Sequence, residues 1–334
     1  MTRSRPFYAL SLIATAQPND RAHERQKRAA DILEPIWKRQ PDHPGVPHYL
    51  IHAYDNAELA ERGLPAARAY AKIAPSAPHA LHMPSHIFTR LGLWDDSIST
   101  NIAARDAARA QGDVGEQLHA MDYLTYAYLQ RGRNSDAARE VAGLTALNGL
   151  SGGAFKIGYA GNAMPVRLAV ETRDWIAASR LTPMPGSSPQ VAAIVWWARA
   201  LGKLRLARPG SADADIGEIE ACRNALRATN NDYWAAQTDV LLKSAQAWRF
   251  AAGGSGPAAV ASLMAAADQE DALEKLPLTP GPIVPAREQL GELLLTLGQP
   301  GEAVAAFDAA LLLAPGRQGA LRGKAEAERL IRDR

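Results

Sequence analysis

The chain has 334 residues, 37 basic against 35 acidic side chains and a net charge of +2, which leaves no basic stripe for nucleic acid. Its single cysteine, Cys222, excludes an internal disulfide framework and any cysteine-built zinc site, and no apolar run is long enough to span a membrane as a helix. Alanine, leucine and arginine dominate, β-branched runs are absent, and prolines gather at breaks such as Pro75 to Pro78, Pro183 to Pro189 and Pro277 to Pro285, so the composition predicts helices and no strands.

Arg3 and Arg5 followed by the apolar run Phe7 to Ala16 have the layout of a secretory signal. The same residues read as the last turns of a helix, followed by the polar loop Gln17 to Arg21 and a second helix from His23 to Arg39; this reading is favoured, and with it a cytoplasmic protein over an exported one. Six of the eight histidines then fall between His43 and His86. If each word is helical, His48, His52 and Asp55 share one face at i, i+4 and i+7, and His79, His82 and His86 share another at i, i+3 and i+7. Pro84 sits inside the second word, so His79 and His82 are expected to precede its regular helix. A third helix from Gln117 to Arg131 repeats the pattern with His119, Asp122, Tyr123 and Tyr126.

Further along, Trp196 and Trp197 cannot face the same side of a helix over Val191 to Leu206, so one is expected in the core and the other on a neighbour. Cys222, on a helix from Ile216 to Thr229, reads as a small buried apolar residue. The glycines at Gly152-Gly153 and Gly253 to Gly256 lack the following lysine and hydroxyl residue of a phosphate loop. The segment Thr279 to Glu288 reads as a rigid loop whose Arg287 and Glu288 cap or reach into a groove.

From there the order Leu290-Gly291, Leu294, Gly298, Ala303, Phe307, Ala310 and Pro315 resembles the tetratricopeptide repeat (TPR), in which small residues let two antiparallel helices pack closely. Weaker copies surround Gly132, Gly92, Arg173 and Ala66, with a spacing drifting from about thirty to about forty residues. The expected fold is an all-α solenoid of TPR-like antiparallel helix pairs in one domain, about six or seven pairs long. It divides into N-terminal helices at 1–40, histidine-rich repeats at 41–150, longer irregular repeats at 151–275, the clearest repeat at 283–317 and a terminal helix at 318–334.

The words His43 to Asp55, His82 to Gly92 and Thr279 to Glu288 together resemble a bacterial group of histidine-containing TPR proteins. The resemblance implies the fold, and no reaction, because members of that group are mostly described without one. It also implies that this chain is a version shortened at the N-terminus.

In such an array the first helix of each pair lines a concave groove. His48 to Glu58, His82 to Leu91 and Gln117 to Arg131 would then be neighbours roughly 10 Å apart, close enough for imidazoles of two helices to meet on one ion. The first functional reading is a TPR protein that binds a peptide, a protein partner or a small ligand in its groove, with Tyr49, Asp55, Arg90, His119, Asp122, Tyr123 and Tyr126 as contact residues. The alternative is a metal-binding protein or metal-dependent enzyme in which His48, His52, His79, His82 and His86 hold zinc, copper or iron, and Asp55 or Asp122 fixes a ligand's tautomer.

Overall fold

A computed structural model of the protein describes residues 4–147, 150–207 and 209–333. Arg3 and Arg334, which bound the basic N-terminal stretch and the terminal helix as read from the sequence, lie outside them. The described residues are helices and loops and contain no strand. They form two compact units, one taking in the chain to Ala127 together with Ala272–Gly281, the other Tyr128–Asp271 together with the chain from Pro282.

The first unit contains α1 (Ser4–Ala14), α2 (Glu24–Arg39), α3 (Val46–Tyr54), α4 (Ala60–Ile73), α5 (Pro78–His82), α6 (Pro84–Arg90), α7 (Trp94–Gln111) and most of α8 (Val114–Gln130). Each of α1 to α3 packs on the next, α3 on α4, α4 on α6 and α6 on α7. The apolar N-terminal run is a helix that puts Ala9, Leu12 and Ile13 against the core of Leu33, Leu50, Ile51, Tyr54, Met83 and Ile87. Close packing depends on α4 offering no side chain at Gly63, where a Cβ would lie 2.7 Å from Ile87 Cδ1 and 2.9 Å from Tyr54 Cβ. That gap brings α3, which carries His48 and His52, and α6, which carries His86, onto one support.

Three prolines set the boundaries that aim the histidines. Pro47 and Pro78 stand in the first turns of α3 and α5, where a missing N–H costs nothing. Pro84 starts α6, while Met83 before it keeps a right-handed helical backbone, so the chain runs on from α5 into α6 without turning. His82 and His86 therefore remain one helical turn apart on the same side. His43 Nδ1 accepts from the N–H groups of Gly45 and Val46 at 3.1 and 3.2 Å and caps the start of α3. His23, at the start of α2, is buried in a left-handed conformation.

The second unit contains α9 (Asn134–Gly143), α10 (Phe155–Glu171), α11 (Trp175–Arg180), α12 (Pro189–Arg205), α13 (Asp213–Ala228), α14 (Asp232–Ala252), α15 (Gly256–Asp271), α16 (Ala286–Thr296), α17 (Pro300–Leu313) and α18 (Gln318–Arg332). From α12 onward each helix packs on the next, and α10, α12, α14, α16 and α18 also pack in succession as an inner layer. This is the neighbour-to-neighbour arrangement of helical repeats. The fold is all-α, built of TPR-like antiparallel helix pairs. Trp197 is fully buried and donates to Ser244 Oγ at 3.1 Å, while Trp196 carries Arg199 over its ring. Cys222 is half-buried, and burial pushes its thiol up to about 11.

The small positions of the clearest repeat have a steric cause. Phe307 of α17 is fully buried between Gly291 of α16 and Gly323 of α18, where added Cβ atoms would approach its ring to 2.6 and 2.2 Å. Gly323→Ala is expected to destabilise the protein by about 1–3 kcal/mol, because a trapped ring cannot yield to the new methyl and overpacking outweighs the better helix propensity of alanine. Urea denaturation checks this, and an unchanged or higher midpoint would show that α18 can move away from Phe307.

Candidate metal centre

Six histidines from four helices of the first unit gather in two triads. His48, His52 and His79 are half-buried, and His82, His86 and His119 are buried; within each triad one ligand-type atom per residue lies within 4.8 Å of the others. The triads adjoin, since the rings of His52 and His86 are 6.0 Å apart.

In α3, Leu50, Ile51 and Tyr54 face the core, and His48 and His52 project together from the other side. Their Nε2 atoms are 3.0 Å apart, and His79 Nε2 lies 3.3 Å from that of His48. The single turn of α5 thus delivers His79 to the α3 histidines and not to the rest of its own word. His48 stacks on Tyr70 at 5.5 Å, and Tyr49 sits beside it at 5.6 Å. Burial, with the neighbouring His79 and His86, lowers His48 to about 4; burial and His86 lower His52 to about 3. Both imidazoles are therefore neutral at pH 7, the form that ligates metals.

The buried triad has its outer ring atoms fixed. Asn101 of α7 donates through Nδ2 to Ser97 O at 2.8 Å, which turns its Oδ1 to His82 Nδ1 at 2.7 Å as an acceptor. His86 Nδ1 lies 2.9 Å from Asp55 Oδ2. Nδ1 carries the proton in both rings, and the two Nε2 atoms face each other at 3.1 Å. Burial holds His82 well below the ordinary histidine range and lowers His86 despite the hydrogen bond to Asp55. His119 of α8 closes the triad, its ring 4.2 Å from that of His82 and 6.3 Å from that of His86.

Behind the buried triad stands one carboxylate. Asp55, just past the end of α3, accepts from His86, from Arg90 Nε at 2.9 Å and from Lys275 Nζ at 3.1 Å, and its carbonyl accepts from Arg90 Nη2 at 2.9 Å. Burial alone would raise its carboxyl, but Lys275, Arg90 and His86 hold it well below the usual carboxylate range. Burial pulls Lys275 down to about 8 against the attraction of Asp55. Arg90 also pairs with Glu274, so two cations and two carboxylates balance.

The expected contact residues divide accordingly. Asp55, Tyr49 and His119 stand at the histidines. Tyr123 packs edge-on to His82 at 4.7 Å and donates its hydroxyl to Thr279 O at 3.1 Å. Arg90 is engaged by Asp55 and Glu274 and does not project as a donor for a substrate. Tyr126 lies farther off, buried edge-on to Trp94 at 5.5 Å, and Asp122 is buried. Asn101, Glu274 and Lys275 were not among the sequence candidates. Asn101 lies four residues after Ser97 on an outer helix, and Glu274 and Lys275 come from the loop Ala272–Gly281, far along the chain from Asp55. In the other unit, Arg287 pairs with Asp268 and Asp271, and Glu288 with Arg317.

No protein-family model and no curated protein matches the sequence. Among solved structures the chain is similar to yeast Tom70, with 12% identity and a TM-score of 0.48 over 99% of this chain and 64% of that one. It is also similar to the TPR domain of P58(IPK), with 10% identity and a TM-score of 0.28 over 99% of this chain and 98% of that one. The chain thus spans less than two thirds of the Tom70 chain. At these scores neither likeness speaks to partners, and the fold rests on the helix pairs themselves. Among the described residues no helix is long and apolar enough to cross a membrane.

Proposed function

We propose that this protein is a transition-metal-binding member of the bacterial histidine-containing TPR group, and that His82, His86 and His119 hold a zinc, copper or iron ion. One observation carries the reading: two neutral imidazoles, each with its proton committed to an outer acceptor, direct their Nε2 lone pairs at each other across 3.1 Å. Two lone pairs at that distance repel unless a cation lies near both. A proton is a poor candidate, because Asp55, which would have to compensate an imidazolium, is already matched by Arg90 and Lys275. A metal ion suits the donor set: three imidazoles make a common zinc or copper environment, and a carboxylate or amide oxygen on the far ring nitrogen fixes the tautomer and strengthens the ligand. Three histidines leave a tetrahedral ion a fourth position, which in this buried triad suits a water or a ligand of similar size.

The test is elemental analysis of protein purified without an affinity tag, beside a His82→Ala, His86→Ala double variant. Near-stoichiometric zinc, copper or iron is expected in the wild type and its loss in the variant, with helical content by circular dichroism unchanged, since a repeat fold is held by neighbour packing. Wild-type protein that is metal-free and stays so after incubation with each ion would sink the proposal.

A second reading, peptide or partner binding, draws on a narrow cleft in the second unit, lined by Trp175, Leu201, Arg205, Trp248, Gln289 and Glu292. Its charges are already matched, since Arg173 and Arg205 both pair with Glu292 and Arg205 lies over Trp248 at 3.7 Å. Trp175→Ala, at a half-buried lining residue, is expected to abolish binding to a peptide array without altering metal content; binding that survives the change would remove the cleft from consideration.

A further inference from the structure

We propose that each triad takes its own metal ion, so that His48, His52 and His79 form a second site, open to solvent, whose ion is completed by a small anion. This rests on the reading that the buried triad binds metal, and it adds the number of ions and the chemical class of the outer ligand.

The first support is convergence. His48 Nε2 meets two other Nε2 atoms, His52 at 3.0 Å and His79 at 3.3 Å. One imidazole nitrogen has either one lone pair or one proton, so it makes one good hydrogen bond and not two. Three converging nitrogens are the donor set of a metal site, and they come from α3 and α5, which both pack on α4.

The second support is the contrast in exposure. The His79 side chain is 43% exposed, against 1% for His86. An ion among His82, His86 and His119 is enclosed by protein, whereas one among His48, His52 and His79 has a face toward water and room for a ligand from solution.

The third support is charge. An imidazole that ligates a metal through its lone pair brings no charge, and Asp55 is matched by Arg90 and Lys275. Two divalent ions side by side would repel strongly, because the rings of His52 and His86 that separate them are 6.0 Å apart. The Glu116 Oε2 lies 3.5 Å from His79 Nδ1, beside the ring nitrogen that does not converge on His48. The remaining positive charge calls for a small anion, hydroxide or an oxyanion, on the exposed face. The enclosed triad, preorganised by Asp55 and Asn101, fills first, and the outer triad fills second with the anion.

Cobalt(II) titrated into the metal-free full chain, followed by calorimetry and visible absorption, tests this with azide as the probe anion. Two equivalents are expected, the weaker one showing a spectral shift and at least tenfold tighter binding when azide is present. A His48→Gln, His79→Gln variant should keep one equivalent and lose the azide response. A His82→Gln, His119→Gln variant should lose the other equivalent, with circular dichroism verifying that both variants fold. A single equivalent that disappears in both variants would mean one ion shared by the triads; it would overturn the second site and leave metal binding standing. Two equivalents indifferent to azide would overturn the anion. No uptake at all would overturn this inference together with the reading on which it rests.

Discussion

Asp55→Ala is expected to destabilise the metal-free protein by about 3–5 kcal/mol, because it removes the one acceptor shared by three buried partners. Arg90 retains Glu274, but Lys275 loses both of its 3.1 Å contacts and His86 its 2.9 Å contact. A buried ammonium without a carboxylate must either stay charged at a high desolvation cost or give up its proton, and burial has already brought Lys275 down to about 8. Asp55→Asn separates shape from charge. It keeps the shape and one side-chain oxygen, which can serve His86 or Arg90 but not both because they use different oxygens of the carboxylate, so its loss of stability should be smaller than that of alanine, while metal affinity should still fall by about 10–100-fold because a weaker acceptor orients His86. Urea denaturation with a chelator present measures the first effect free of ligand stabilisation, and calorimetry with zinc measures the second. If Asp55→Ala unfolds at the wild-type urea concentration, the carboxylate does not hold this centre together.

Much of the helical architecture is legible in the sequence, because proline at helix starts and small residues at contact points act locally. Gly291 and Phe307 are read as a repeat pattern and meet in space at the same positions. The histidine pairs His48 with His52 and His82 with His86 are legible for the same reason, since four residues along one helix face set their Nε2 atoms 3.0 and 3.1 Å apart. The partition into triads is not legible. His79 shares a face with His82 and His86 by count, yet α5 is only five residues long and its first turn reaches α3. His119, read as a groove residue, stands with His82 and His86 because α8 brings it to α5, a tertiary event with no local signature. The shell around Asp55 is further still from view: Lys275 lies 220 residues away along the chain and Glu274 lies 184 from Arg90, both at the end of the stretch read as irregular repeats and before the proline-rich loop at Thr279.

Arg317→Met should also cost about 3–5 kcal/mol, and the cost should depend on pH in a definite direction. Arg317 is fully buried and donates from Nε to Glu288 Oε2 and from Nη2 to Glu171 Oε1, each at 2.7 Å. Glu171 also accepts from Gln130 at 3.1 Å, and Gly319 leaves the space that Glu288 fills, where a Cβ would fall 2.0 Å from its Oε1. Methionine roughly fills the volume and removes the cation that these two carboxylates share, so the defect is electrostatic before it is steric. Burial already raises Glu171 above the ordinary glutamate value of 4.5, against the attraction of Arg317 and with the neighbouring Glu288 adding to the rise. Without the guanidinium it must rise further. A carboxyl raised in the folded state contributes stability that is present below its unfolded value and lost as pH climbs through the folded one. The deficit of Arg317→Met relative to wild type should therefore be smaller near pH 5, where a raised Glu171 holds its proton, and larger near pH 8, where folding must bury two unmatched charges. Urea denaturation of both proteins at the two pH values gives the comparison. Equal deficits at both would show that Arg317 acts through packing and hydrogen bonds alone, since only a charge on Glu171 ties the penalty to the proton.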